Sequence, residues 1–134
     1  VDDHENLKKY GEYLGIAFQI KDDLLDYYGH QSLLGKPVGN DFKDKKITLP
    51  LIYAFKQAES KEISKIKKML KKGVSQNQVK EIIAFVEQRG GVAYAQSKKE
   101  EYAQKAKECL SGYEDNEVKE ALLKFVDFTV RRKK

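Results

Sequence analysis

The stretch from Gly15 to Pro50, GIAFQIKDDLLDYYGHQSLLGKPVGNDFKDKKITLP, constrains this chain more than any other. It places three aspartates on an otherwise apolar segment, then a glycine-rich loop, then a run of lysines. Helix formers dominate the residues between and around the acids. At helical spacing Asp22 and Asp26 are i and i+4, so they share a face with β-carbons roughly 5–6 Å apart. Asp23 sits about one hundred degrees around the axis, at the edge of that face. Like charges so placed cost a helix roughly 0.2–0.5 kcal/mol. Ile16, Ile20, Leu24 and Leu25 favour burial, which draws some of the acids out of bulk water. A partly buried carboxylate cluster without a counter-charge is unfavourable. A hard divalent cation relieves it, and Mg²⁺ prefers one or two carboxylates completed by waters and phosphates. Lys36, Lys45 and Lys46 follow, beside Gly35 and Gly39. Carboxylates, Mg²⁺ and lysines facing one another make a site for a diphosphate: the metal bridges carboxylate to phosphate oxygen, and the ammonium groups take the remaining oxygens.

Charge and length narrow the alternatives. A chain of 134 residues is one ordinary domain by length and can bury a core. Its 40% apolar and 35% charged residues indicate a soluble globular protein. No apolar run approaches the roughly 18 residues of a membrane span, and the opening VDDHENLKKYGEYLG lacks the charged and apolar regions of a secretory signal. A single cysteine, Cys109, excludes an internal disulfide and fits a reducing cytoplasm. Its helical spacing from Ala106 and Leu110 makes it a packing residue. The formal net charge of +5 raises nucleic-acid binding. The basic residues, however, are interleaved with glutamates except at Lys43–Lys46, Lys65–Lys72 and Arg131–Lys134, and no nucleic-acid motif accompanies them. His4 and His30 have no partner spacing for a metal site or a nucleophilic pair.

Periodicity predicts an all-α chain. A first helix runs from about Glu5 to Tyr28, with Leu7, Tyr10, Leu14, Phe18, Ile20, Leu24 and Leu25 on its apolar faces and Gly29 at its end. Gly11 and Gly15 inside it imply close approach of a neighbouring helix or of substrate, the packing reading being favoured. His30 to Ile47 is a long loop of the kind that is often functional. Thr48 caps a helix with Pro50 in its first turn and Leu51, Ile52, Ala54 and Phe55 along it. A basic helix from Ser60 turns Ile63, Ile66, Met69 and Leu70 inward and stops at Gly73. Ser75 starts a helix with Val79, Ile82, Ile83 and Val86, broken at Gly90-Gly91. Two further helices, about Val92 to Leu110 and Asn116 to Arg131, present Ala95, Tyr102, Ala103, Ala106 and Leu110, and Val118, Ala121, Leu122, Phe125 and Thr129.

The motifs FQxxDDxxD, G-K, G-x-D and K-x-T-L-P, in that order between Phe18 and Pro50, resemble the second aspartate-rich region of the trans-isoprenyl diphosphate synthases, the polyprenyl synthetase family. The resemblance is specific from Gly15 to about Leu51 and general beyond. It implies an isoprenoid synthase-type helical bundle and a Mg²⁺-dependent prenyltransferase that condenses isopentenyl diphosphate with an allylic prenyl diphosphate. By the same resemblance Asp22, Asp23 and Asp26 hold Mg²⁺, with Asp22 the leading ligand. Gln19 contacts the allylic substrate near its ionising end, Lys36 and Lys46 hold diphosphate oxygens, and Asp41 and Asp44 orient those lysines or bound waters. Metal and lysines then stabilise the departing pyrophosphate, the electrostatic stabilisation of developing charge.

Two departures stand out. Lys45 replaces a glycine usual before Lys46, and the GKPVGND spacing is one residue longer than in farnesyl-type members. The family's first aspartate-rich motif and its following arginines are absent, and Asp2-Asp3 has no third acid at the right spacing. Residues 1–134 therefore read as the C-terminal portion of a polyprenyl synthetase domain, inactive or nearly so as a separate chain. The full-length protein would be a cytoplasmic homodimer, loosely akin to the long-chain, octaprenyl-like members. The basic tail from Val130 to Lys134 either closes over the isopentenyl diphosphate site or is solvated. The competing reading is a non-catalytic helical subunit of a heteromeric prenyl synthase. A terpene cyclase shares the fold and metal chemistry, but the GKxxGxD and KxTLP motifs favour the chain elongator.

Overall fold

Helix α1, Asp3–Leu24, is the long amphipathic helix the pattern requires, and it tightens into a 3-10 turn at Leu25–Tyr27. Such tightening re-pairs carbonyls that a helix end otherwise leaves open. The computed structural model describes residues 3–27 and 48–131, so Tyr28, Gly29 and the His30–Ile47 loop lie outside the described residues, as do residues 132–134 of the basic tail. The remaining described helices are α2 (Leu49–Lys56), α3 (Ser60–Lys72), α4 (Gln76–Gln88), α5 (Gly91–Glu108) and α6 (Glu117–Arg131). No strand occurs among the described residues, and the fold is all-α. Nor is any described helix long and apolar enough to cross a membrane.

The chain divides into two units, Asp22–Gln96 and the pair of segments Val1–Lys21 and Ser97–Lys134. In the first, local chemistry sets each helix end. Thr48 adopts the extended N-cap conformation, although its hydroxyl makes no capping bond, and Pro50 falls in the first turn, where its missing N–H costs nothing. Ser75 and Gln78 form a reciprocal capping box: the Gln78 amide donates to Ser75 Oγ at 3.3 Å, and the Ser75 amide donates to Gln78 Oε1 at 3.1 Å. Gly73 ends α3 at φ 97°, a left-handed conformation that favours glycine. The core contains Leu51, Ala54, Ile66, Met69, Leu70, Val79, Ile82 and Val86, as the 3.6-residue period predicts, together with Tyr27 and Phe85. Ile63, Ile83 and Phe55 are half-buried, and Ile52 is exposed.

In the other unit Tyr10, Leu14 and Ala17 of α1 share a core with Ala103 and Ala106 of α5, Leu110 just beyond it, and Val126 and Val130 of α6. The Tyr10 hydroxyl, partly withdrawn from water, donates to the Leu122 carbonyl at 2.8 Å. Asn116 caps α6 by accepting from the Lys119 amide at 2.9 Å. Cys109 is half-buried against this core, and burial pushes its thiol up, the signature of a packing residue.

Three expectations are corrected here. The face of α6 read as inward is largely solvent-facing, with Val118 68% and Phe125 52% exposed, while Val126 and Val130 are buried. On α1, Leu7, Ile16 and Phe18 are exposed rather than buried. Gly11 and Gly15 have no neighbour within 4 Å of an added Cβ, so no close approach explains them among the described residues.

Candidate active site

The acids of α1 lie at its last turn because the apolar rows of the helix turn Ile20 and Leu24 inward and leave Asp22 and Asp23 half-buried. This is the negative end of the helix dipole, where a carboxylate loses about 0.3–1 kcal/mol rather than gaining it. Asp22 has no hydrogen-bond or ion-pair partner among the described residues. A half-buried carboxylate at a helix C-terminus, without a partner among the described residues, is one that a nearby cation would stabilise. Gln19 lies one turn earlier on the same helix and is exposed. Asp26 falls in the 3-10 turn, and its side chain lies outside the described residues.

Lys21, immediately before the acid pair, was not singled out by the sequence pattern. It is buried, and its Nζ donates to the Thr129 carbonyl at 2.8 Å, near the C-terminal end of α6. There the ammonium also meets the negative end of that helix's dipole. The contact pins the residue from which Asp22 follows. A lysine inside an otherwise amphipathic pattern was the only sequence signal for it, since its acceptor is a backbone carbonyl 108 positions away.

Helix α2, which begins at Leu49, is fixed as well. Pro50 is fully buried, and a Cβ on Gly91 would overlap its carbonyl oxygen, so α2 and α5 meet backbone to backbone at this point. Gly90, at φ 78°, makes the turn that allows it. The rings of Tyr53 and Tyr94 stack beside this contact, with centroids 4.1 Å apart and planes at 10°. Pro50 of the K-x-T-L-P motif is thus held closely against α5.

The structure therefore sets Asp22 and Asp23 side by side and holds Pro50 against α5. Lys36, Asp41, Asp44, Lys45 and Lys46 lie outside the described residues. Among the described residues no three His, Cys, Asp or Glu side chains converge as a metal site. The donors that are described, carboxylate oxygens open to solvent on one side, are of the hard type that suits Mg²⁺. His4 is exposed, and His30 lies outside the described residues.

An all-α chain with an acid-tipped helix and a K-x-T-L-P motif belongs to a recognisable class of helical synthase folds. The polyprenyl synthase of Caulobacter crescentus, solved in complex with calcium and isoprenyl diphosphate, superposes with a TM-score of 0.88 at 33% identity, over 97% of this chain and 40% of that one. The polyprenyl synthetase profile matches residues 1–86, and the chain belongs to the polyprenyl synthetase family. Among its relatives, the octaprenyl diphosphate synthase of Haemophilus influenzae is 34% identical over 94% of this chain and 38% of its own length. That of Escherichia coli is 32% identical over 98% of this chain and 41% of its own length. The chain thus spans about 40% of the length of these relatives.

Proposed function

We propose that residues 1–134 form the C-terminal portion of a trans-prenyltransferase that condenses isopentenyl diphosphate with an allylic prenyl diphosphate, and that this portion holds the allylic diphosphate. The single observation that carries the reading is Asp22, half-buried at the end of α1 and without a partner among the described residues, in a chain whose family match spans the whole motif region. Asp22, Asp23 and Asp26 would hold Mg²⁺, which when bound supplies Lewis-acid neutralisation of the leaving diphosphate. Lys36 and Lys46 bind diphosphate oxygens as point charges, a reading supported by the Pro50–Gly91 contact, which holds Pro50 of the same motif. Gln19, exposed one turn before Asp22, orients the allylic end of the substrate. Pyrophosphate leaves, the isopentenyl double bond attacks the allylic carbon, and the proton lost passes to the departing pyrophosphate.

The remaining elements of the proposal concern the whole protein. The exposed apolar positions of α6, Val118, Phe125 and Phe128, suit further helices of a longer chain. The complete enzyme is cytoplasmic and homodimeric in this reading. The test is a chimera in which this chain replaces the matching C-terminal residues of the Escherichia coli octaprenyl diphosphate synthase. Elongated prenyl diphosphate is expected with Mg²⁺, and Asp22→Ala should lower turnover at least about a hundredfold, the equivalent of roughly 2.7 kcal/mol. A folded chimera that binds diphosphate in a Mg²⁺-dependent way yet makes no product would favour the non-catalytic subunit instead.

A further inference from the structure

Positive charge is concentrated on one helix. Helix α3 carries six lysines against one glutamate, an excess of five that equals the formal net charge of the whole chain. No other described helix departs from neutrality by more than two charges, and most of their lysines are paired, as Lys107 is with Asp127 and Lys124 with Glu120. On α3 the lone glutamate, Glu62, is already paired with Arg89. Lys65 pairs with Glu81 at 2.8 Å, and Lys67 lies over the Phe55 ring at 5.9 Å. Lys61, Lys68, Lys71 and Lys72 are exposed and have no carboxylate partner among the described residues.

The spacing is as informative as the number. Lys61, Lys65, Lys68 and Lys72 recur at i, i+4, i+7 and i+11 and line one open groove of about 610 Å³ with Ser64 and Gln78. Eleven residues of helix set these ammonium groups along about 16 Å. The apolar face of the same helix, with Ile66, Met69 and Leu70, is committed to the core, so α3 cannot insert anywhere. It offers a straight row of point charges over hydroxyl and amide groups, with no aromatic ring and no arginine in the groove. Nucleic-acid surfaces use aromatic stacking and arginine forks; a lysine row suits the diffuse field of an anionic lipid surface.

We propose that the α3 lysine row is a peripheral docking surface for an anionic phospholipid bilayer. The choice of a bilayer over another polyanion rests also on the proposed function, because each added isoprene unit makes a prenyl diphosphate more apolar and a lipid surface is where such a product is received. The row holds the chain at the headgroups by charge alone, so attachment is reversible and fades as salt shortens the screening length.

The test is co-sedimentation of the chain with phosphatidylcholine vesicles with and without phosphatidylglycerol, which measures no turnover and so stands or falls independently of the enzymatic reading. The chain should bind the anionic vesicles only and release in high salt. Each basic residue near such a surface is worth about fivefold in partitioning. The triple variant Lys61→Gln, Lys68→Gln, Lys72→Gln should therefore bind about a hundredfold more weakly. The control Lys8→Gln, Lys9→Gln, Lys124→Gln makes the same change in net charge elsewhere and should bind as wild type does. Absence of binding by wild type, equal loss in both triple variants, or binding to duplex or single-stranded nucleic acid without binding to vesicles would each overturn the proposal.

Discussion

Gly91→Ala is the substitution whose cost can be worked most fully from the structure. An added Cβ would overlap the Pro50 carbonyl oxygen, stand 2.7 Å from Val86 Cγ1 and 3.0 Å from the Pro50 carbonyl carbon. Two of these three contacts are backbone, and Pro50 is fully buried, so no side-chain rotation relieves them. Helix α2 must shift from α5. Overpacking of this kind costs about 1–3 kcal/mol, and alanine's stiffening of the unfolded chain returns only about 0.4–1 kcal/mol. A net loss of about 1.3 kcal/mol, at a urea slope of about 1–3 kcal/mol per molar, lowers the unfolding midpoint by about 0.6 M. The controls separate crowding from glycine chemistry. Gly90→Ala meets only Tyr53 Cε2, at 3.7 Å, but is strained at φ 78°, so it should lose about 1–2 kcal/mol without displacing α2. Gly11→Ala and Gly15→Ala, in open space inside α1, should gain about 0.5–1 kcal/mol each. A Gly91→Ala midpoint equal to that of wild type would refute the backbone-contact argument, and with it the claim that this contact holds Pro50 of the K-x-T-L-P motif against α5.

The remaining predictions follow from single interactions. Asp22→Asn removes from the negative end of α1 a charge with no partner among the described residues, and should raise chemical stability in metal-free buffer by about 0.3–1 kcal/mol while weakening diphosphate binding, the trade-off expected of a functional residue. Ser75→Ala breaks the capping box and should cost about 1 kcal/mol in the same urea assay. The Arg89 guanidinium, chiefly through its hydrogen bond and against a smaller opposing effect of burial, holds the Glu62 carboxyl below its ordinary 4.5. A depressed folded-state pKa gives stability that is present above 4.5 and lost as pH falls through the lower folded value. Acid titration of Glu62→Gln should show a shallower loss of stability in that window than wild type shows.

Legibility in the sequence divided along local and non-local lines. Helix starts and stops were readable at Ser75, Gly73 and Gly90, because capping and left-handed turns depend on residues a few positions apart. Most of the buried rows of α3, α4 and α5 followed from period, although it missed Phe85, and Ile63, Ile83 and Tyr102 are only half-buried. Helix α6 defeated the same reasoning because it carries two apolar stripes, Val118-Ala121-Phe125-Phe128 and Leu122-Val126-Val130, and period cannot choose between them. The structure buries Val126 and Val130 of the second and half-buries Leu122. At the candidate site, the aspartates were visible because their pattern is compact. Lys21 and Gly91 were not: one depends on the Thr129 carbonyl and the other on the Pro50 carbonyl, each brought in by tertiary packing.

The claim at the centre is that Asp22 serves a metal-bound diphosphate rather than the fold. Calorimetric titration of inorganic pyrophosphate into the chain, with and without Mg²⁺, for wild type and Asp22→Ala, tests it most directly. The expected result is binding by wild type that requires Mg²⁺, weakened at least about tenfold in an Asp22→Ala chain that is folded and no less stable. Equal Mg²⁺-dependent binding by both chains, or binding by wild type that ignores Mg²⁺, would contradict it.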